Sequence, residues 1–224
     1  MTLTRAPLPA PGTYRLWIFD SLTQEGIPAT RAEAGPEALG PEERRRARLF
    51  RRPADRRQYE SAHLVLRRLL ADHTGLAPER LEFGREGGRR GKPRLLGSPV
   101  PVHFSLSHSH GLVAIALAAD PVGVDVQRVP GVRTVERCLP SLHPAERAEL
   151  TALPESERPD AFALLWTRKE AYLKGLGTGL ARPLAADYLG SGGLAARPPD
   201  WTVHNTAARP GHAAAAALRV PATG

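Results

Sequence analysis

Alternating apolar and polar residues predict a group of short strands in the middle of the chain. The alternation begins at 102–107, where every second residue is apolar, as in a strand that buries one face. Apolar segments at 112–118 and 122–126 follow after tight breaks, so the three segments predict a hairpin or meander. Asp125 lies near the end of the third strand, and 14–19 predicts an opening strand.

Helical periodicity, with apolar residues three or four positions apart, marks two longer segments. These are 55–73, which Gly75 would end, and 159–176, which leads into a glycine-rich stretch. Shorter helices are predicted at 41–49, 134–139 and 144–150. A chain of 224 residues with these elements fits either one large domain or two lobes of about a hundred residues each.

The remaining segments carry weaker patterns. The Gly/Arg-rich segment 84–97 predicts a loop, and the polar tail predicts irregular structure as far as His212. The alanine run after His212 has helical propensity, but it is short and lies between Gly211 and Pro221, so we predict a strand. Its likeness to the strand after His110 suggests two related halves that meet near 119–123, and chance similarity is the alternative.

Composition and charge narrow the classes of partner. A formal charge of +8 and a pI near 10.5 predict attraction to nucleic acid, an anionic membrane, a polyphosphorylated small molecule or an acidic protein. The single cysteine, Cys138, excludes an intrachain disulfide and favours a reducing cytoplasm. No apolar run has the length of a signal peptide core or a membrane span, so we predict neither export by that route nor membrane insertion.

The few lysines lie where phosphate chemistry would use them. Of 31 basic residues only Lys92, Lys169 and Lys174 are lysines. Glu170 lies four positions before Lys174 on one helix face, and an ordinary surface ion pair is the alternative interpretation. Asp125 follows apolar strand residues, where a carboxylate needs a partner or a metal ion. Asp125 and Glu170 with a few waters and phosphate oxygens would suit Mg²⁺, with a lysine as a mobile charge on phosphate.

Four motifs in a fixed order make the chain resemble the surfactin-synthetase-type 4′-phosphopantetheinyl transferases. They are GKP at 91–93, HFSLSHSHG at 103–111, GVDVQ at 123–127 and WTRKEAYLK at 166–174. The family motifs read G-K-P, F-x-x-S-H-S, G-[IV]-D-[IV]-E and W-x-x-K-E-[AS]-x-x-K. The agreement extends over 91–180, and four motifs in the same order are far more specific than any one of them.

The resemblance implies an enzyme that moves the phosphopantetheine arm of coenzyme A onto a serine of an acyl, peptidyl or aryl carrier protein and releases 3′,5′-ADP. It implies an α+β fold of two similar, pseudo-symmetric lobes with coenzyme A and Mg²⁺ in the cleft between them. We place a coenzyme A-binding lobe at 1–119 and a lobe for the metal and the carrier at 120–224. A monomer is implied by the same resemblance.

The resemblance also implies roles for the acidic residues and for Lys174. Asp125 would be a metal ligand, and Glu170 would be a second ligand and the general base toward the carrier serine. Lys174 would be a catalytic contact to the phosphates. Gln127 stands where the family most often has Glu as a further metal ligand, and its carbonyl oxygen can still bind the metal or its water. We therefore predict activity with a higher Mg²⁺ requirement.

Phosphate binding is implied for a second group of residues. Ser107 and His108 match the family's Ser-His pair near the 3′-phosphate, although His108 alone would be read as a strand-end histidine. Lys92 matches the lysine beside the adenosine phosphates, and Lys169 is a further candidate. The arginines expected to hold the 3′-phosphate are Arg46, Arg56 and Arg57. For each arginine, a solvated helix face is the alternative.

Charge suggests the partner and also the rival hypotheses. A basic enzyme would be steered toward an acidic carrier protein, and apolar residues near 139–142 are our candidate docking patch. A non-catalytic nucleic-acid-binding protein is the main rival, but only 5% of the residues are aromatic, and the chain has no run in which basic and aromatic residues alternate. A weakened relative that binds coenzyme A without transfer is the other rival, and it rests on Gln127. We therefore predict no nucleic-acid partner and no membrane partner.

Overall fold

Helices and antiparallel sheets are combined in an α+β arrangement. The structure is a computed structural model that describes residues 6–30, 34–86, 88, 91–190 and 198–220. Over these residues the helices are α1 (Pro41–Arg48), α2 (Pro53–Thr74), α3 (Val132–Cys138), α4 (Pro144–Ala152) and α5 (Arg158–Leu176). The strands are β1 (Tyr14–Asp20), β2 (Glu82–Arg85), β3 (Pro93–Leu96), β4 (His103–Ser109), β5 (Leu112–Ala118), β6 (Val122–Arg128), β7 (Trp201–Thr206) and β8 (His212–Arg219).

Two three-stranded sheets form the centre of the fold. The first has the strand order β1-β5-β4 and the second has the order β6-β8-β7, and all pairs are antiparallel. The middle strands, β5 and β8, bond to a neighbour on each side, and almost all their residues are buried. Strands covered on both faces read as unbroken apolar runs, which is why the alanine run forms β8. The predicted strand is confirmed.

Small side chains let the two sheets approach closely. Leu112, Ala114, Ala116 and Ala118 of β5 share one buried cluster with residues of β6 and β8. Serine side chains of β4 then link the first sheet to β6, and both bonds join residues 19 apart in the sequence: Ser105 Oγ accepts the Val124 N–H at 3.0 Å, and Ser109 Oγ accepts the Arg128 N–H at 3.1 Å. The equal spacing aligns β4 with β6 in parallel.

Helix α2 covers the first sheet with the apolar stripe that the sequence predicted. Pro53 begins the helix, and Gly75 ends it with a φ of 72°, a left-handed conformation that favours glycine. Leu66, Leu70 and other residues of the stripe are buried against Phe19 and Ile115. Each fully buried side chain of this size stabilises the fold by about 1.5–3 kcal/mol relative to exposure.

Helix α5 lies directly on β6 because one glycine leaves room for its backbone. A Cβ atom placed on Gly123 would lie 1.9 Å from the Ala171 carbonyl oxygen and 2.5 Å from the Gly175 amide nitrogen. Contact at this distance admits no side chain. Since side chains alternate along a strand, Asp125 points toward α5 as Gly123 does. The glycine of the GVDVQ motif therefore sets the carboxylate against the helix.

Three structural expectations are corrected. The predicted loop 84–97 contains most of the two-stranded ribbon of β2 and β3, whose four-residue strands are too short for an alternating pattern to reveal them. The polar tail contains β7, in which Trp201 and Val203 are buried and alternate with polar residues. The predicted meander ends at β5, because β6 pairs with β8 and so begins the second sheet. Of the described helices, none is long and apolar enough to cross a membrane.

Candidate functional site

Asp125 is the centre of a hydrogen-bonded triangle between the two sheets. Its side chain is buried in the middle of β6. Lys174 of α5 approaches Asp125 Oδ1 with its Nζ at 2.6 Å, and Ser107 of β4 donates its hydroxyl to the same oxygen at 2.7 Å. Lys174 also donates to Ser107 Oγ at 2.9 Å. The sequence motifs that contain these three residues are therefore in direct contact.

The other oxygen of Asp125 has no hydrogen-bond partner among the described residues. Asp125 Oδ2 is buried, and no hydrogen bond reaches it in the part of the chain that the structure describes. A buried carboxylate oxygen without a donor is costly, and such atoms in native proteins call for an explanation such as a bound ion. The orphaned oxygen is thus the first structural sign that the site fits a cation.

Glu170 supplies a second carboxylate close to Asp125. It lies one helical turn before Lys174 and is half-buried. Burial, and then the negative charge of Asp125, raises the pKa of the Glu170 carboxyl above its usual value, while Lys174 acts in the opposite direction. Two carboxylates that repel each other in a partly buried site can be relieved by a divalent cation or by a proton.

The donor set fits Mg²⁺ better than a metal that needs a complete protein cage. Among the residues with described positions, no group of three or more His, Cys, Asp and Glu side chains could hold a metal ion. Asp125 and Glu170 offer two hard oxygen ligands, and Mg²⁺ usually keeps several waters beside one or two carboxylates. Gln127 is half-buried and lies two positions after Asp125, on the same face of β6. Its carbonyl is available as a third oxygen.

Lys92 holds the β2–β3 ribbon against the second sheet. Its Nζ donates to the carbonyl oxygens of Val122, at 2.8 Å, and Gly175, at 3.1 Å. Burial lowers the pKa of the Lys92 ammonium to about 8. These contacts place Lys92 where β6 begins and α5 ends, and two of its three donors are used by the protein itself.

A pocket of about 260 Å³ opens beside Lys92 and Lys174. Apolar side chains of α2 and β4 form one wall, and Arg85 is the third cation at its edge. Its lining residues include Leu66, Arg85, Lys92, Phe104, Leu106 and Lys174. Cations beside an apolar wall suit a ligand that carries phosphate groups and an apolar portion. Arg85 was not predicted as a site residue, because the segment 84–97 was interpreted only as a loop.

The structure separates the side chains of Ser107 and His108. Ser107 is buried beside Asp125, whereas His108, the next residue of β4, is exposed on the opposite face. Nearby protein still removes enough water to lower the pKa of the His108 imidazole, and the positive charges of His63 and Lys174 act in the same direction. The two side chains therefore leave β4 on opposite faces.

A hydrogen-bond network joins α1 to α2 and includes His63, whose charge acts on His108. The sequence did not predict this network. Glu43 is buried, with Oε1 2.9 Å from His63 Nδ1 and Oε2 accepting a bond from Arg67 Nε at 2.8 Å. Glu43 Oε2 also accepts the Gly40 N–H at 2.6 Å, which fixes the start of α1. The sequence signal that could have revealed it is a Glu at the third position of a helix that begins with Pro.

Lys169 lies outside the site, which corrects its predicted role in cofactor binding. Its ammonium is 2% exposed and is 2.7 Å from the buried carboxylate of Glu146 on α4. It also donates to the carbonyl oxygens of Leu184, at 2.8 Å, and Asp187, at 2.7 Å. All three donors are used, and the side chain points away from Asp125. Lys169 is therefore placed to hold α4 and the 184–189 segment on α5.

The three arginines predicted to bind the 3′-phosphate lie on the surface. Arg46, Arg56 and Arg57 are exposed near the junction of α1 and α2, and Arg56 donates to Glu60 at 2.8 Å. Their predicted phosphate contacts remain predictions.

The docking patch at 139–142 is not an open apolar surface, because Leu142 is buried and Leu139 packs against the same core cluster.

Comparison with known proteins agrees with the motifs. Residues 121–204 match the model of the 4′-phosphopantetheinyl transferase superfamily, and this segment contains Asp125, Gln127, Glu170 and Lys174. Over this segment the chain is similar to that superfamily. The triangle around Asp125 thus joins the matched segment to β4, the strand that carries Ser107.

Individual 4′-phosphopantetheinyl transferases are similar over a longer stretch. One from Bacillus subtilis is 30% identical over 148 residues, which is 66% of this chain and 64% of that protein. HetI of Nostoc sp. is 32% identical over 64% of this chain and 62% of its own length. Sfp of Bacillus subtilis is 27% identical over 65% of this chain and 63% of its own length. The matched part thus spans less than two thirds of each of these relatives.

Proposed function

We propose that this protein transfers the 4′-phosphopantetheine arm of coenzyme A to a serine of an apo carrier protein and releases 3′,5′-ADP, with Mg²⁺ as cofactor. One observation carries the proposal: within the segment that matches the superfamily model, Asp125 has a buried oxygen with no partner among the described residues, beside a second carboxylate and a lysine. The relatives named as 4′-phosphopantetheinyl transferases support the same reaction.

Asp125 and Glu170, with Gln127 beside them, would hold the metal ion. When bound, Mg²⁺ would offset negative charge on the pyrophosphate as the 3′,5′-ADP leaving group forms. Lys174 uses two of its three donors within the triangle, which leaves one N–H for a phosphate oxygen. A fixed cation next to the reacting phosphate stabilises the charge that develops there.

Glu170 would act as the general base. Its carboxylate takes the proton of the carrier serine, directly or through water, while the serine oxygen forms a bond to the phosphorus that carries the pantetheine. The bond from that phosphorus to the bridging oxygen of the pyrophosphate breaks, and 3′,5′-ADP leaves with the electron pair.

The two sheets suggest how the chain is divided. We propose two related lobes, 1–119 and 120–224, because each has a three-stranded antiparallel sheet with its long helix on one side. The Asp125 site lies where β4 of one sheet meets β6 of the other. The partner would be an acidic acyl, peptidyl or aryl carrier protein, drawn to a chain of charge +8, and the single cysteine suits the cytoplasm.

The test is to incubate the purified protein with coenzyme A, Mg²⁺ and a panel of apo carrier proteins, and to measure the intact mass of each carrier. We expect at least one carrier to gain one phosphopantetheine on its serine. Coenzyme A binding without any gain would favour the weakened relative. Salt-dependent nucleic-acid binding that coenzyme A does not affect, again without any gain, would favour the nucleic-acid-binding protein.

A further inference from the structure

We infer that Ser107 is a positioning residue for the metal ligand Asp125, and not a contact to the 3′-phosphate of coenzyme A. The inference rests on the proposed function for the identity of the ligands. Its evidence is the hydroxyl of Ser107, which donates to Asp125 Oδ1 at 2.7 Å. Ser107 is itself buried, so this bond is shielded from water.

The alignment of the two strands places Ser107 opposite Asp125. Ser105 and Ser109 each accept a backbone N–H from β6, from Val124 and Arg128 respectively. These bonds fix the strands on both sides of Ser107, and alternation turns all three serines toward β6. Ser107 departs from its neighbours in one respect, because it donates to the Asp125 side chain. The outer serines thus set the position of the strands, and Ser107 sets the position of the carboxylate.

Counting protons shows which oxygen remains for the cation. The Ser107 hydroxyl has one proton, which goes to Asp125 Oδ1, and it accepts a bond from Lys174 in return. Lys174 also donates to Oδ1, so that oxygen has two donors. Oδ2 is buried and has no donor among the residues described. The two bonds fix the rotation of the carboxylate and present Oδ2 as its single free ligand atom.

The faces of β4 argue against a shared phosphate contact. His108 lies on the side of β4 that faces α2 and is itself exposed, and the charges of His63, Lys174 and Asp55 act on its pKa. Ser107 faces the opposite way, into the contact between the sheets. Only His108 of this pair remains open to a phosphate group, and the hydroxyl of Ser107 has both its proton and an acceptor position in use within the triangle.

The experiment measures the binding of Mn²⁺ alone, by electron paramagnetic resonance, with Mg²⁺ as competitor and without coenzyme A. The variants are Ser107→Ala, Ser107→Thr, which keeps the hydroxyl, and Ser109→Ala as the matched control that removes a buried strand-linking serine. We expect Ser107→Ala to weaken binding by about 10- to 100-fold, as is usual when the partner of a metal ligand is removed. Ser107→Thr should restore most of the affinity, and Ser109→Ala should remain within about twofold of the wild type.

A second measurement separates the two roles. Calorimetry without metal compares the affinities of coenzyme A and of 3′-dephospho-coenzyme A for the wild type and for Ser107→Ala. We expect the ratio of these two affinities to be unchanged by Ser107→Ala. Thermal unfolding of each variant confirms that it is folded, and Ser107→Thr keeps the test valid if the alanine variant is unstable.

Each outcome decides the inference. Unchanged Mn²⁺ affinity in Ser107→Ala, or a wild type that binds no Mn²⁺, would overturn it. So would a selective loss of the preference for coenzyme A over its dephospho form, which would place Ser107 at the 3′-phosphate. The predicted Mn²⁺ pattern in a protein that modifies no carrier would support the role of Ser107 while removing the proposed transfer reaction.

Discussion

Helix α5 (Arg158–Leu176) carries two lysines five residues apart, and their surroundings differ completely. Lys169 is 2% exposed, all three of its donors have acceptors, and its partner Glu146 also accepts N–H bonds from Leu189 and His143. Lys174 is 30% exposed and pairs with Asp125, whose second oxygen has no partner within the described residues. A completely satisfied ion pair holds the fold together, whereas an incompletely satisfied one beside a pocket is prepared for a ligand.

The largest expected effect on stability comes from the satisfied pair. Lys169→Met leaves the Glu146 charge buried without a counter-ion, so we expect the free energy of unfolding to fall by about 3–5 kcal/mol. The double variant Lys169→Met with Glu146→Gln should recover part of this loss, because it removes the unpaired charge. Chemical denaturation measures both. If the Lys169→Met protein has normal stability but has lost affinity for coenzyme A, Lys169 contacts coenzyme A after all.

The corresponding change at the unsatisfied pair should act on turnover. Lys174→Met removes a cation that we place on the phosphates, so we expect transfer to slow by about 100- to 1000-fold. Stability should fall less than in Lys169→Met, since Lys174 is partly exposed and Ser107 still donates to Asp125. Carrier modification rates and denaturation curves test both points together. Equal losses of stability at the two lysines would remove the distinction between them.

A smaller effect is expected at Gln127, which adds to the same unsatisfied site. Gln127→Glu supplies a third carboxylate on the face of β6 (Val122–Arg128) that carries Asp125. We expect the Mg²⁺ concentration for half-maximal transfer to fall by roughly 3- to 10-fold, since ligand charge raises cation affinity. A Mg²⁺ titration of the transfer rate measures this. If the midpoint does not move, the side chain of Gln127 is not at the metal.

The third lysine of the chain, Lys92, is expected to make the stability of the fold depend on pH. Its folded-state pKa is about 8, below the 10.5 of an exposed lysine. Between these values the unfolded chain binds more protons than the folded one, so stability should rise as the pH increases from about 8 to 10.5. Lys92→Met should lack this rise. Urea denaturation of both proteins across the interval compares the slopes, and equal slopes would contradict the assignment.

Much of the fold could be predicted because most elements have a clear period. The stripe of α2 (Pro53–Thr74) and the alternation of β4 (His103–Ser109) led to correct elements. Strand β7 (Trp201–Thr206) is short and mostly polar, and β2 (Glu82–Arg85) has glycine within it. The pairing of β4 with β5 was predicted, whereas the pairing of β6 with β8 was beyond the sequence, because these two strands are far apart in the chain and adopt their register only in the folded sheet.

The site was predicted in part, for a reason that lies in the helix. The motif spacing placed Glu170 and Lys174 on one face, as four-residue spacing dictates. It could not reject Lys169, because buried residues surround α5 on most sides and leave no single polar stripe to show which lysine faces the ligand. The contact between Ser107 and Asp125 depends on how two sheets meet, and no local pattern records that contact.

The most direct test of the central claim compares the wild type with Asp125→Ala and with Glu170→Ala. Intact mass spectrometry follows the gain of phosphopantetheine on an apo carrier protein, and calorimetry measures coenzyme A binding without metal. We predict that both variants lose transfer while coenzyme A binding is affected much less. Near-normal turnover in either variant would contradict the assignment of these two carboxylates to the reaction.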